Sequence, residues 1–198
     1  MQTISASDPA AVAALRDCLG TGGLAAYPTD TLYGLGVDAR SDLALRRLID
    51  AKGRGGPFSI MVGSVKRLAE ILLVPPASVG NIGLMLPGPY AFIAPPRQPD
   101  LWPTLLTGGG ANLGVRVPQH AFLAALYHGW DLPVVTTSAN LTGRPALQDP
   151  AEIARQFGQQ LDLIIDGGIL PASRGSTLID VSQQEWQVLR RGDGPFPA

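Results

Sequence analysis

Short apolar runs alternate with amphipathic segments along the whole chain, and this alternation limits the fold more than any other feature. Short continuous apolar runs are typical of buried strands, whereas apolar residues three and four positions apart indicate helices. The chain has 24 glycines and 18 prolines, which separate these runs as turns and form no low-complexity tract. We therefore expect an α/β fold with a mixed, twisted sheet flanked by helices.

The length and composition favour one domain. A chain of 198 residues that is 45% hydrophobic is long enough for one sizeable core, so we expect a single domain over residues 1–198. Cys18 is the only cysteine, which excludes an internal disulfide and a zinc site built from several thiolates. The first residues lack a signal-peptide pattern, and no run approaches the roughly 20 apolar residues of a membrane-spanning helix. These features predict a cytoplasmic protein without membrane contact.

Local signals predict where the helices begin and end. Asp8 is expected to cap the first helix, with the proline that follows it as the first helical residue. Ser41 is expected to cap a second helix that ends at Gly53. Ser64 is expected to begin a third helix, and Asp149 to cap a later one.

The remaining segments are predicted mainly as strands. We expect strands at residues 24–28, 58–62, 90–94, 113–118, 132–136, 161–166, 176–181 and 185–190, and a helix at 120–128. Residues 97–112 are rich in proline and glycine and are expected to form an irregular, mobile loop. Polar loops at the strand ends are expected to gather along one edge of the sheet.

Small polar or cationic side chains follow several of these strands and helices. They are Thr29 and Thr31, Lys52 and Arg54, Arg116, Ser138 and Asn140, Ser176 and Thr177, and Arg190. Each has an ordinary structural explanation, because serine and threonine satisfy turn amides and most arginines are solvated. Together they suit an anionic ligand rich in oxygens, since guanidinium groups bind carboxylate or phosphate in a bidentate way. Nucleotides and carboxylate substrates both fit this description.

Familiar catalytic motifs are absent from the sequence. It contains no P-loop, no strand-linked Gly-x-Gly-x-x-Gly, no His-Glu-x-x-His and no Gly-x-Ser-x-Gly. His120 and His128 lie in no metal-ligand pattern and are expected to be structural. No pair of carboxylates stands out as an acid and a base, which favours catalysis by positioning and electrostatic stabilisation.

The charge distribution leaves a binding function open as an alternative. A net charge of −1 gives no general attraction for nucleic acid. Seven basic residues nevertheless fall between Arg40 and Arg67, either as a solvated helix face or as a groove for phosphate. An RNA-binding module that uses such a groove without chemistry is therefore one alternative, with tRNA as its candidate partner.

The residues around the polar positions resemble those of a known family. Residues 27–36 read YPTDTLYGLG, and similar strings open the domain of that family. Lys52-Gly53-Arg54 resembles its Lys-x-Arg element and Ser138-Ala139-Asn140 its Ser-x-Asn element, and residues 113–118, 176–180 and 189–192 match in the same order. The resemblance covers nearly the whole chain and is to the YrdC/TsaC-like threonylcarbamoyl-AMP synthases, in the short form without a C-terminal extension.

The resemblance implies a fold and a reaction. The fold is a YrdC-like domain with a concave, positively charged groove. The reaction joins L-threonine, bicarbonate and ATP into threonylcarbamoyl-AMP with release of pyrophosphate, and a threonylcarbamoyl transferase partner then modifies tRNA. Mg²⁺ is expected to bridge the phosphates of ATP, since this ion often uses substrate oxygens and few protein ligands.

The resemblance also implies roles for individual residues. The expected catalytic residues, which also bind ATP, are Lys52 and Arg54 at the phosphates and Ser138 and Asn140 at the nucleotide and the reacting phosphate. Arg190 would contact the nucleotide as well. The expected threonine-binding residues are Thr31, Arg116, Thr136 and Ser176. No protein ligand to a metal is implied.

One segment departs from the pattern of the family. The family follows Lys-x-Arg with proline, a spacer and a polar residue before Pro-Leu, whereas residues 54–58 read Arg-Gly-Gly-Pro-Phe. Gly56 takes the place of the polar residue that the resemblance assigns to threonine binding. A YciO-like paralogue that adenylates a different acid is therefore a second alternative.

Overall fold

The computed structural model describes residues 1–196, which form one mixed ten-stranded sheet with helices packed against it. The strands are β1 (Gln2–Ser5), β2 (Ala25–Tyr27), β3 (Gly34–Gly36), β4 (Ser59–Met61), β5 (Tyr90–Ala94), β6 (Leu113–Arg116), β7 (Val134–Ser138), β8 (Leu163–Asp166), β9 (Thr177–Asp180) and β10 (Gln187–Arg190). Their order across the sheet is β1-β8-β2-β3-β7-β4-β6-β5-β9-β10. The pairs β1–β8, β8–β2, β4–β6 and β5–β9 are parallel and the other pairs are antiparallel, so the predicted mixed sheet is confirmed.

The helices lie between these strands in the chain. They are α1 (Ala11–Gly20), α2 (Asp42–Lys52), α3 (Val65–Ile71), α4 (Pro76–Met85), α5 (Thr104–Thr107), α6 (Ala121–Tyr127) and α7 (Pro150–Phe157). Together with the sheet they confirm the predicted α/β class.

Most predicted helix ends are confirmed by their capping contacts. Ser41 Oγ accepts from the backbone N–H of Ala44, and α2 stops at Gly53, which has a positive φ of 69°. The predicted caps of α3 and α7 are also present. The first helix is present, but its predicted start is wrong, because Asp8 Oδ1 accepts from the N–H of Ala10 at 2.8 Å and forms a turn before the helix.

The core lies on both faces of the sheet. Ala26 of β2 and Ile164 of β8 belong to the larger apolar cluster, with residues of α2, α3 and α7. Ala25 and Leu163, which precede them, belong to the other cluster, with residues of α1 and α6. Successive residues of a strand point to opposite faces, so apolar residues cover both sides of the sheet.

Two strands have no clear signal in the sequence. β1 carries only one large apolar residue, Ile4, and exists because it pairs in parallel with β8. β3 contains Gly34 and Gly36, and it is a strand because β2 and β7 pair with it on either side. Pairing partners far along the chain determine both strands.

Residues 97–112 are more ordered than the sequence indicates. A 3₁₀ turn (Pro99–Leu101) and α5 lie within the segment, and Leu106 is fully buried. Gly108 ends α5 with a positive φ of 63°. The expectation of a wholly irregular loop is therefore wrong, because Leu106 fixes the segment to the core.

Candidate active site

A cleft of about 220 Å³ lies on the part of the sheet that runs from β3 to the edge strand β10. The neighbouring strands β3, β7, β4, β6, β5, β9 and β10 each contribute lining residues, and so do the loops at 29–33, 54–58 and 174–176. Because these strands are adjacent in space but scattered in the chain, the sheet gathers polar groups that lie far apart in the sequence. No carboxylate is among the lining residues of the described chain.

Seven of the nine predicted site residues line this cleft. They are Thr31, Arg54, Arg116, Thr136, Ser138, Ser176 and Arg190. The other two, Lys52 and Asn140, lie next to the lining and contact Ser138. The polar segments singled out in the sequence therefore converge on one place.

Arg116 is buried at the centre of the cleft and paired with Asp30. Its side chain and that of Asp30 are each only 8% exposed, and its Nη2 donates to Asp30 Oδ1. The second oxygen of Asp30 accepts from the backbone N–H of Gln119 at 3.1 Å. Burial lowers the pKa of Arg116, and the Asp30 carboxylate opposes that shift, so the guanidinium remains charged.

The Arg116–Asp30 pair leaves part of the guanidinium available. Arg116 Nη1 lies 3.5 Å from Thr31 Oγ1, which is a long contact, and Nε has no hydrogen-bond partner within residues 1–196. A buried donor without a partner is unusual in a folded protein and needs an acceptor. A ligand carboxylate is one acceptor that fits, because a guanidinium binds it through two N–H groups.

The turn before β3 is held by Thr29, which leaves Thr31 directed at Arg116. Thr29 Oγ1 accepts from the N–H groups of Thr31 and Leu32 at 3.1 and 3.2 Å. The Thr29 hydroxyl also donates to the carbonyl of Leu32 at 2.7 Å. Both threonines line the cleft, but the Thr29 hydroxyl is used to hold the turn.

Lys52 lies beneath the loop that follows β7. Its Nζ donates to the carbonyls of Ser138 and Asn140 at 2.6 and 2.9 Å and to Asn140 Oδ1 at 2.9 Å. Asn140 Oδ1 also accepts from the Ser138 hydroxyl at 2.7 Å. All three N–H groups of the ammonium are therefore used to hold the Ser138–Asn140 loop, and the residue is only 2% exposed. A direct contact between Lys52 and phosphate stays a prediction.

The buried position of Lys52 changes its acidity. Burial, together with the charge of Arg54, lowers the pKa of Lys52 from 10.5 to about 8. The charge of the Lys52 ammonium, which lies near the cleft, therefore changes at mildly alkaline pH. Its loss would remove one hydrogen-bond donor from the loop.

Three further arginines lie around the cleft. Arg190 Nη2 donates to the carbonyl of Ser176 at 2.9 Å, and Arg54 packs over the ring of Phe58 at 5.3 Å. Arg174 also lines the cleft and was missed in the sequence, because it lies in an irregular segment that follows no strand or helix pattern. Asp30 was missed as well, since it reads as a turn residue until Arg116 is placed beside it.

The basic stretch from Arg40 to Arg67 does not form one groove. Arg40 pairs with Asp38 at 3.5 Å, Arg47 with Asp162 at 2.8 Å and Arg67 with Glu70 at 3.0 Å. Of the seven basic residues, only Arg54 lines the cleft. Three of the seven are thus paired with carboxylates and Lys52 is buried, so the stretch does not present one continuous basic surface to RNA.

Gly56 packs against backbone atoms of the segment around α5. A Cβ at this position would lie 2.8 Å from the carbonyl oxygens of Leu105 and Leu106. There is consequently no room for the polar side chain that the family pattern places here. Pro57, Phe58 and Ser59 line the cleft in this region instead.

The part of the chain that the structure describes contains neither a cluster of metal ligands nor a helix that could span a membrane. No group of three histidine, cysteine, aspartate or glutamate residues within 1–196 is placed to hold a metal ion. None of the helices in the same range has the length and apolar character needed to cross a bilayer.

The sequence of the chain matches a defined family. Residues 17–192 match the Sua5/YciO/YrdC family, which carries the description telomere recombination. The chain belongs to the Sua5/YciO/YrdC family. The family match spans all seven strands that line the cleft.

Curated relatives carry the name threonylcarbamoyl-AMP synthase. The chain is 32% identical over 178 residues to the protein of that name from Pyrococcus abyssi, a match that covers 88% of this chain and 52% of that protein. It is 36% identical over 171 residues to the protein of that name from Thiobacillus denitrificans, covering 85% of this chain and 89% of the relative. The chain thus spans about half the length of the Pyrococcus relative and most of the Thiobacillus one.

Solved structures of the family share the fold. P. abyssi Sua5 complexed with L-threonine is 29% identical, with a TM-score of 0.81, over 91% of this chain and 54% of that chain. E. coli YciO is 26% identical, with a TM-score of 0.85, over 98% of this chain and 95% of that chain. The fold of the chain is therefore that of solved members of the family.

Proposed function

We propose that the chain is an L-threonylcarbamoyladenylate synthase, which makes threonylcarbamoyl-AMP and pyrophosphate from L-threonine, bicarbonate and ATP. One observation supports this most: a single cleft contains the buried Arg116, a set of hydroxyls and three further arginines. The loop that Lys52 holds lies beside these groups. Relatives named threonylcarbamoyl-AMP synthase at 36% identity over most of the chain support the same assignment. The product would serve the threonylcarbamoyladenosine modification of tRNA.

The inner part of the cleft suits an amino acid. Arg116 offers unpaired guanidinium N–H groups to a carboxylate, and Asp30 holds the guanidinium in place. Thr31, Thr136 and Ser176 are buried hydroxyls that can hydrogen-bond the remaining polar groups of threonine. The L-threonine bound to P. abyssi Sua5 supports an amino-acid site in this fold.

The outer part of the cleft suits the nucleotide. Arg54 and Arg190 supply positive charge for phosphates, and the cleft is expected to carry a positive potential. Ser138 and Asn140 lie on the loop that Lys52 fixes, so they would position the reacting phosphate with little rearrangement. In this proposal Lys52 adds its charge to the site through that loop.

The chemistry forms two bonds. The threonine nitrogen attacks the bicarbonate carbon, and water leaves, which gives a carbamate. A carbamate oxygen then attacks the α-phosphorus of ATP, the bond from that phosphorus to the bridging oxygen breaks, and pyrophosphate leaves with the electron pair. Several negative charges meet in this step, so cations that are already in position lower its barrier.

ATP would enter as its magnesium complex. The lining groups are hydroxyls and guanidinium groups and include no carboxylate within the described chain, so the phosphates would hold the ion. The cytoplasmic location, the transferase partner, a contact with tRNA and the extent of the catalytic domain over residues 1–198 belong to the same proposal.

A YciO-like activity toward a different acid is the second candidate. Gly56 lacks the polar side chain of the family pattern, and the chain covers 95% of E. coli YciO. Such a protein would keep the nucleotide site and change the acid that it adenylates.

Pyrophosphate release with a panel of amino acids separates the two candidates. We expect release that requires both bicarbonate and L-threonine and that falls in Arg116→Ala. Release that depends on another acid would favour the YciO-like activity, and release without any acid would contradict both.

A further inference from the structure

Arg174 is a cation of the cleft whose side chain is nearly free. It lies between β8 and β9, and its side chain is 75% exposed. The nearest carboxylate is that of Asp193, 3.8 Å from Arg174 Nε, which is too long for a good hydrogen bond. The guanidinium can therefore turn toward a ligand at small cost.

The backbone that carries Arg174 is, in contrast, firmly held. Asp193 Oδ1 accepts from the N–H of Arg174 at 3.1 Å, and Asp193 Oδ2 is 2.5 Å from the Ser173 hydroxyl. The N–H of Asp193 donates to the carbonyl of Gly175 at 2.8 Å. Three contacts with one residue after β10 thus fix the loop at the edge of the cleft.

Arg174 and Arg190 are neighbours at this edge. A Cβ on Gly175, the residue after Arg174, would lie 3.8 Å from Arg190 Nη2. Within residues 1–196, neither Arg190 nor Arg54 forms an ion pair, whereas Arg116 is neutralised by Asp30. The inner cation of the cleft is therefore paired, and the outer cations are left for a ligand with several charges.

The proposed reaction assigns an orientation to that ligand. The α-phosphate must lie beside the carbamate, and hence near the inner amino-acid site. The β- and γ-phosphates carry most of the charge of ATP and leave as pyrophosphate, so the exposed outer arginines, of which only Arg174 has a carboxylate partner among the described residues and that a distant one, suit them best.

We propose that Arg174 binds the β- and γ-phosphates of ATP and that Asp193 positions its loop for this contact. This inference rests on the proposed function, because it assumes ATP as the substrate. It adds a residue to the nucleotide site that no sequence motif marks.

Binding titrations with ATP and AMP test the proposal without any turnover. Arg174→Ala is expected to weaken ATP binding by about five- to tenfold, the effect of one charge-assisted contact at a solvated site, and to leave AMP binding unchanged. Arg155→Ala is a matched control, because Arg155 is 74% exposed and has Glu152 at 3.4 Å but lies on α7 away from the cleft lining. The control should bind both nucleotides normally.

The role of Asp193 is tested by a double-variant cycle. Asp193→Ala should weaken ATP binding by a smaller factor, and in the Arg174→Ala background it should have no further effect, since it acts through Arg174. If the losses of ATP affinity in the two single variants add in the double variant, Asp193 does not act through Arg174.

The possible results separate this inference from the proposed function. Unchanged ATP affinity in Arg174→Ala, or an equal loss for ATP and AMP, would overturn the contact with the β- and γ-phosphates. If the wild-type protein binds ATP but releases no pyrophosphate with threonine, the proposed function fails, and the ATP and AMP comparison still decides the role of Arg174. A wild-type protein that binds no ATP would contradict both.

Discussion

Asp30→Asn is expected to destabilise the protein strongly. The carboxylate of Asp30 pairs with Arg116 where both side chains are only 8% exposed, so its removal leaves a buried guanidinium without a counter-ion. Breaking such a pair from one side typically costs about 3–5 kcal/mol. Asparagine keeps one oxygen that can accept from Arg116, so we expect a loss of about 2–4 kcal/mol in the free energy of unfolding.

Thermal and denaturant unfolding measure this loss. For a chain of this length, about 2–4 kcal/mol corresponds to a fall of roughly 5–15 °C in the melting temperature. Glu152→Gln is the control, because the Arg155–Glu152 pair is exposed and its loss should cost less than about 1 kcal/mol.

A double variant identifies the cause of the loss. Combining Asp30→Asn with Arg116→Met removes both charges, so the pair should be less destabilised than the sum of the single variants. If Asp30→Asn melts within about 2 °C of the wild-type protein, or if the two changes add, Asp30 does not compensate the charge of Arg116 and the reasoning is refuted.

Three further predictions concern Lys52, Arg54 and Gly36. Activity should fall as the pH rises through about 8, because Lys52 then loses its charge and one donor to the Ser138–Asn140 loop. Because the pKa of Lys52 in the folded protein lies below the ordinary 10.5, its contribution to the free energy of unfolding rises between pH 8 and 10.5. Comparison with Lys52→Met isolates that contribution. If it falls over the same pH range as the rate, deprotonation of Lys52 is not the cause of the lost activity. Arg54→Ala should lower the rate by about 10²–10³-fold with little change in melting temperature, and an unchanged rate would remove Arg54 from the site. Gly36→Ala should cost about 1–3 kcal/mol in denaturant titrations, because its Cβ would lie 2.5 Å from the Tyr27 hydroxyl, whereas Gly20→Ala, with no atom within 4 Å, should cost far less.

Local chemistry made part of the fold predictable. Ser41 and Gly53 mark the ends of α2, because a hydroxyl cap and a left-handed glycine act within a few residues. β3 was not predictable in this way, since Gly34 and Gly36 have low strand propensity and become a strand through pairing with β2 and β7. The tyrosine ring of β2 also requires the glycines of β3, which is a contact between strands and not a local preference.

The convergence of the polar residues on one cleft was predictable from the sequence, whereas their contacts there were not. Seven of the nine predicted residues line one cleft, because they follow strands that the sheet brings together. Lys52 was expected at phosphate, yet the Ser138–Asn140 loop, more than 80 residues away, takes up all three of its donors. Asp30 and Arg174 gain their importance from neighbours in space: Asp30 lies within the family string at residues 27–36, but nothing in that string indicates its pairing with Arg116.

The proposed function requires that the amino acid and ATP react side by side in this cleft. Mass analysis of the nucleotide product tests this, with ¹³C-bicarbonate, L-threonine and ATP supplied together. We expect an adenylate that contains both threonine and the labelled carbon. An unlabelled adenylate, or AMP and ADP alone, would contradict it.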